Sequence, residues 1–462
     1  MPLILLFGLV WGQSEAGAIF LLIEPGASAT GMGTAQVAYP QSSNMSYYNP
    51  AGLSLLQYND VSISRVRWIP GLRQDRYHNF FSFNYILNNY SAVGGHIINL
   101  DLGEQIKTSN TGDEIGTYNI YMTAFSLSYS LLVSNNKSFG INAKLIQQQL
   151  SDFGAGEVKN DTTFTDYGFD IGYMHQEWIL PDLNFGISIS NLGNEITLFD
   201  DAQSDPQPTN LALGFNYTAF SNETHKLNLI FDINKLLIAS YPDMDWDGDG
   251  YIGGYDNGGN LSPGGDDYNI NGQLEIAHTD PLLKALYTSW FDDWLLGGDL
   301  DYGSGGPGNG DKIIGGYDWV DADGDGNADG DLWEDKNENG EIDEGEGEII
   351  KAGIDKNDGI EFGDAGWGIY NEDGVKELGN SKDRSLSDEL DRLVHNFGLE
   401  YWYGQYFAIR TGYYYDKTGK INNPTFGIGL RFAGYGFDFG YTFGEPGHPL
   451  TNTMRFSLNM EF

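Results

Sequence analysis

The chain of 462 residues has no cysteine. That excludes a disulfide scaffold, a thiolate zinc site, a cysteine nucleophile and a lipoprotein anchor. Basic residues are scarce: 24 Lys and Arg stand against 65 Asp and Glu, a formal net charge of −41. Nucleic-acid phosphates need Lys and Arg, so no nucleic-acid partner is expected. Past the N-terminus no run of about 18 apolar residues occurs, which leaves no transmembrane helix. G-x-S-x-G and H-E-x-x-H are both missing, and the seven His show no convergent spacing, so no enzyme is expected. What is abundant is glycine (63) and aromatics (14%, with 29 Tyr), while only 40% of residues are apolar. A β-barrel with a hydrated interior has that composition.

The acidity is concentrated. Residues 241–390 hold 38 Asp and Glu against 8 Lys and Arg, and the other 312 residues hold 27 against 16. A mildly acidic body is thus interrupted by a strongly acidic insert. At the N-terminus Met1–Gly12 is apolar but too short for a membrane helix. With Ser14 and Ala16 placed for cleavage, residues 1–16 read as a secretory signal peptide without the usual basic start.

The body alternates with period two. Phe139, Ile141, Ala143 and Leu145 alternate with Gly140, Asn142 and Lys144; Leu183, Phe185, Ile187 and Ile189 alternate with Asn184, Gly186, Ser188 and Ser190. In the last segment Phe456, Leu458, Met460 and Phe462 oppose Arg455, Ser457, Asn459 and Glu461. Each such strand has one apolar face and one small or polar face. A soluble sandwich shows charge on its second face; Gly, Ser and Asn instead suit a narrow lumen. Backbone groups in a bilayer must all be paired, so the sheet has to close. Fourteen strands are expected: nine within 58–240 and five within 391–462. Tyr401-Trp402-Tyr403 and Tyr413-Tyr414-Tyr415 fit interfacial aromatic girdles. The fold class is all-β, a 14-stranded antiparallel transmembrane barrel.

Connections alternate in length. Asn88-Asn89, Ser134–Asn136, Ser221–Thr224, Gly404 and Gly434 are short; Leu102–Thr117, Phe153–Phe164 and Asn194–Pro208 are long. Short turns belong in the periplasm and long loops outside. By that parity the insert, which joins the ninth strand to the tenth, is extracellular.

The insert carries calcium-type spacing. Asp245, Asp247 and Asp249 precede Gly250, with Tyr251 at the seventh position and Asp256 at the twelfth. Asp335, Asn337 and Asn339 precede Gly340, with Glu341 seventh and Glu346 twelfth. Alternating oxygens converge on one hard cation, Gly permits the turn, the seventh residue offers its carbonyl, and a last carboxylate closes the shell. Asp321, Asp323, Asp325 and Asp329 form a shorter variant resembling thrombospondin type 3 repeats; Asp267-x-Asn269-x-Asn271 and Asp355–Gly359 are weaker matches. Structural Ca2+ is the expected cofactor. Pro281–Leu296 reads as an amphipathic helix capped by Thr279 or Asp280, its Trp290, Phe291 and Trp294 packing a small core.

Two stretches resemble a known family. Phe20–Ala27 leads to Gly31-Met32-Gly33-Thr34-Ala35 and then to Asn49-Pro50-Ala51-Gly52; later Gly398–Tyr403 precedes Phe407–Tyr413. These resemble the PorV/PorQ outer-membrane proteins, related in fold to FadL fatty-acid transporters, over most of residues 18–240 and 391–462. The resemblance implies a barrel whose N-terminal segment, residues 17–57, folds inward as a plug. It also implies bacterial outer-membrane localisation and contact with outer-membrane lipid. Its implied partners are other type IX secretion components and secreted cargo with C-terminal sorting domains, which PorV-like proteins pass to a surface-attachment complex. The insert departs from the plain family pattern. The alternative is a FadL-like transporter of hydrophobic small molecules using Gly31-Met32-Gly33 and Asn49-Pro50, although these glycines suit tight packing better than ligand contact. Arg410 is expected to face the lumen beside a carboxylate, His96 to be a lumen or girdle residue, and Phe462 to be a barrel-assembly signal.

Overall fold

The computed structural model describes residues 16–68, 76–108, 114–149, 163–197, 204–241, 278–290, 302–303, 306–307, 390–444 and 452–462. The chain divides into two compact units, Met1–Leu237 with Asp391–Phe462, and Ile238–Leu390.

The first unit is a closed antiparallel barrel of fourteen strands in chain order. Nine precede the second unit: β1 (Asp60–Arg67), β2 (Tyr77–Asn88), β3 (Ser91–Thr108), β4 (Glu114–Ser134), β5 (Lys137–Gln149), β6 (Thr163–His175), β7 (Leu183–Gly193), β8 (Asn210–Ser221) and β9 (His225–Leu236). Five follow it: β10 (Val394–Tyr403), β11 (Phe407–Asp416), β12 (Ile421–Phe432), β13 (Tyr435–Thr442) and β14 (Thr453–Glu461). The ring closes where β1 pairs with β14, from Asp60↔Glu461 to Val66↔Arg455.

The alternation becomes two faces. On β14 Thr453, Arg455, Ser457 and Asn459 are buried inside, while Met454, Phe456, Leu458 and Met460 are exposed outside. An exposed apolar exterior around a buried polar interior inverts a water-soluble domain and matches a wall bathed in lipid. The outer apolar band ends sharply on the long-loop side of the first strands. Cross-strand partners Ile63, Phe81, Ile97, Phe125 and Leu145 form one outward row from β1 to β5. Two residues further along, the next outward row is Arg65, Asn79, Asn99, Thr123 and Gln147.

Two expectations need correcting. Leu102–Thr117 is largely strand: β3 and β4 stay paired from Glu104↔Asn119 to Thr108↔Glu114, past a register break after Asp101. A hairpin that projects beyond the apolar band has no need of an apolar face, so its polar composition mimics a loop. The tyrosine-rich clusters are not wholly girdles either. Tyr401 and Tyr403 face outward, whereas Trp402 donates its indole N–H to Glu400 at 2.6 Å inside the barrel, because successive side chains point to opposite faces.

Residues 16–56 run inside the barrel. They form 3-10 turns at Ile19–Leu22 and Pro50–Leu55 and one-turn helices α1 (Ala27–Thr30) and α2 (Met45–Tyr48). Asn49 opens the second 3-10 turn by accepting the Ala51 N–H at 3.2 Å, with Pro50 at the position where a missing N–H costs nothing.

In the second unit, Ser240–Tyr241 pairs with His278–Thr279, and Tyr302–Gly303 with Gly306–Pro307. The expected helix is α3 (Leu282–Thr288), shorter than expected within the described residues and led by Pro281 with no side-chain cap. Phe291 and Trp294 lie outside the described residues.

Candidate functional site in the barrel interior

The interior is built from small side chains that let the inner segment touch the wall. A Cβ on Gly412 would lie 2.2 Å from the Gly33 nitrogen, and one on Gly140 would lie 2.3 Å from the Ala51 nitrogen. Gly33 itself has φ 65°, the left-handed region that favours glycine. The segment's Gly and Asn-Pro elements therefore sit in close backbone contact with the barrel.

Three stretches of the inner segment are held in different ways. The first rests on β10 and β12–β14: Gly33 N–H donates to Thr425 Oγ1 (2.9 Å), Ala27 N–H to Ser457 Oγ (2.8 Å), and Asn396 Nδ2 to the Gly33 carbonyl (2.7 Å). Arg455 donates to the Glu24 carbonyl and to Thr30 Oγ1. Burial pushes the Glu24 carboxyl up to about 7, with the Arg455 charge and the Thr34 hydroxyl pulling it down.

The middle stretch crosses the lumen and hangs on carboxylates. Asp232 Oδ2 accepts from the backbone N–H of Gln36 (2.5 Å) and Val37 (2.8 Å). Glu400 accepts from the Tyr39 hydroxyl and from Gln41 Nε2 at 2.8 and 2.9 Å. Asp60 accepts the Ser43 N–H at 2.8 Å.

The last stretch lies on β3–β6. Asn142 Nδ2 donates to the Ser46 carbonyl (2.7 Å), Ser130 Oγ to the Ala51 carbonyl (3.0 Å), and Asn49 Nδ2 to the Val37 and Tyr173 carbonyls (both 3.1 Å). Met45, Ala51, Leu53, Ala92 and Met174 pack here as one apolar cluster.

Behind the middle stretch stands a buried ion network. Arg410 is fully buried, with Nε 2.7 Å from Glu400 and Nη1 2.7 Å from Asp438. Arg431 meets Asp438 at 2.8 Å, and Asn459 Nδ2 donates to the same carboxylate at 2.7 Å. Arg410 is thus beside carboxylates in the lumen, in a structural ion pair. A second network joins Lys144 to Asp170 (2.9 Å) and to Asn191 Oδ1 (2.6 Å). His96 lies buried in the lumen, 3.1 Å from Ser46 Oγ.

Two cavities flank the crossing stretch. One, of about 220 Å³ on the long-loop side, is lined by Glu24, Tyr47, Lys144, Asn191 and Asp232. The other, of about 460 Å³ on the short-turn side, is lined by Tyr39, Gln41, Asp60, Lys226 and Arg431. Both present charged and amide groups; neither is an apolar tube.

The candidate calcium ligands Asp245, Asp247, Asp249, Tyr251, Asp256, Asp321, Asp323, Asp325, Asp329, Asp335, Asn337, Asn339, Glu341 and Glu346 all lie outside the described residues. Among the described residues no three His, Asp or Glu side chains cluster as a metal site. Asp232, Glu400 and Asp438 were not singled out from the sequence. Their signal was there: each is a lone carboxylate at an inward position of an alternating strand.

These features define a class, a transmembrane β-barrel of the outer membrane with a polar, occupied lumen. Residues 14–243 match the PorV family, described as type IX secretion system protein PorV. No curated protein matches it. Among solved structures it is similar to the Ralstonia pickettii toluene transporter TbuX, at 11% identity over 95% of this chain and 98% of that one, with a TM-score of 0.43. The Pseudomonas putida toluene transporter TodX shows 10% identity over 94% and 96%, with a TM-score of 0.42. A Pseudomonas aeruginosa FadL homologue shows 9% over 95% and 98%, with a TM-score of 0.36.

Proposed function

We propose that this chain is a non-enzymatic outer-membrane barrel that binds secreted cargo at the cell surface and passes it on during type IX protein secretion. The family match over residues 14–243 is the observation that carries the reading. The interior agrees with it: residues 17–57 act as a plug hydrogen-bonded to walls on both sides, so binding falls to the surfaces around the barrel rather than to an open pore. The acidic insert faces the cell exterior and is ordered by calcium. Its donor set is all oxygen at alternate positions, which suits a hard cation, and extracellular modules of this kind bind calcium at about 10⁻⁴–10⁻³ M. Without the ion, its carboxylates repel one another and the segment loosens.

The test is capture of tagged full-length protein from native outer membrane, in calcium and in chelator, read by mass spectrometry. Co-purified secreted proteins sharing a C-terminal sorting domain, lost in chelator, support a calcium-dependent cargo receptor. A barrel carrying only fatty acid or another hydrophobic small molecule overturns it in favour of a FadL-like transporter.

A further inference from the structure

Arg65 and Arg67 are both exposed on the outer face of β1, the face the rest of the barrel gives to lipid. Basic residues are scarce in this chain, and elsewhere in the barrel the arginines at 410 and 455 are turned inward onto buried polar groups. An outward arginine is strongly disfavoured at the middle of a bilayer and tolerated near its edges. Arg65 marks such an edge, because it stands one outward step beyond Ile63 and opens the polar row that continues through Asn79, Asn99 and Thr123.

The row is organised as a binding surface. Asn79 Nδ2 donates to Asn99 Oδ1 at 3.2 Å, and Asn99 Nδ2 donates to Thr123 Oγ1 at 2.9 Å. The Arg65 guanidinium lies 3.8 Å over the Tyr77 ring, a cation–π contact that steadies its plane. Among the described residues neither Arg65 nor Arg67 meets a carboxylate at ion-pair distance. The nearest acidic neighbour in the rows is Asp101, opposite Tyr77, and its Oδ1 already accepts the Gly103 N–H at 2.9 Å. Two unpaired guanidiniums with amides beside them, at the upper limit of an apolar wall, match one ligand chemistry. It has phosphate oxygens at the level of the arginines and acyl chains lying down the apolar rows below.

We propose that the outer face of β1–β3 binds the phosphate of a lipid in the outer leaflet, with Arg65 and Arg67 as its ligands and Asn79 and Asn99 supporting them. The site depends on the long-loop end facing outward, as in the orientation proposed above.

The experiment uses full-length protein purified in mild detergent, stripped of lipid, and mixed with phosphorylated lipid A, its dephosphorylated form or inorganic phosphate. Bound lipid is counted by native mass spectrometry, and migration of unheated protein in SDS gels checks that each variant has folded. Wild-type protein should retain one phosphorylated lipid, and R65Q and R67Q should each weaken retention about tenfold. Equal retention by wild type and the R65Q/R67Q double variant overturns the proposal. So does equal retention of the two lipid forms, or retention of inorganic phosphate alone. Orientation is read separately on K417C, made in a chain with no other cysteine, with a membrane-impermeant maleimide on whole cells. Labelling is expected at this exposed turn. Lack of labelling alongside phosphate-dependent retention overturns the outer-leaflet assignment while keeping the arginines as phosphate ligands.

Discussion

The two walls that grip the inner segment do so by different chemistry. The wall around β10–β14, together with Asp232, works by charge and backbone: buried arginines and carboxylates, peptide N–H groups aimed at side-chain oxygens, and Gly412 against Gly33. The wall of β3–β6 works by an apolar cluster around Met45, Leu53 and Met174, edged with serine and asparagine bonds. The charged wall is specific and intolerant, since removing one ion strands its partners in a buried site. The apolar wall is more forgiving, because its cost scales with the volume removed.

The comparison is most easily broken at Arg410. R410M leaves Glu400 and Asp438 buried without their shared cation and should destabilise the folded barrel by about 3–5 kcal/mol in urea unfolding in detergent. A loss below about 1 kcal/mol would mean that the network adds little to the grip. On the other wall, L53A should cost about 3 kcal/mol by the same measurement, through lost burial and the cavity it leaves. Next in size come two overpacking variants, G412A and G140A, each expected to cost about 1–3 kcal/mol. Hydrogen exchange should tell them apart: G412A speeds exchange around Met32–Ala35 and G140A around Ala51–Leu53. If both loosen the whole segment alike, the two walls do not act separately. The smallest change is D232N, which keeps the shape but removes the charge facing the Gln36 and Val37 amides. About 1 kcal/mol is expected, with faster exchange confined to those two amides.

Much of the barrel is legible from the sequence, and the reason is physical. In lipid every strand must show an apolar face outward, so alternation alone finds fourteen strands, nine within 58–240 and five within 391–462. Where lipid stops the signal stops: the polar segments Glu104–Thr108 and Glu114–Asn119 look like a loop although they are paired strand. Aromatic clustering misleads for a related reason, since Trp402 follows the parity of Glu400 and not the company of Tyr401. Arg410 could be assigned a carboxylate partner, but not which one. Glu400 is its direct cross-strand neighbour, and Asp438 reaches it from two strands away, so the choice depends on register across β10–β13. The twelve-residue spacings of the insert lie outside the described residues, so their reading rests on the sequence alone.

The seam between β1 and β14 sets an order of events in assembly. The inner segment is fastened by contacts such as Ala27 to Ser457, 430 positions apart in the chain. β9 and β10 must also pair across the whole second unit. Nine consecutive strands can pair locally as they emerge, but the N-terminal segment has no complete mooring until the last strand has been delivered. A segment that precedes every strand in the chain is therefore the last to be secured, and slow closure is the expected kinetic signature of this topology.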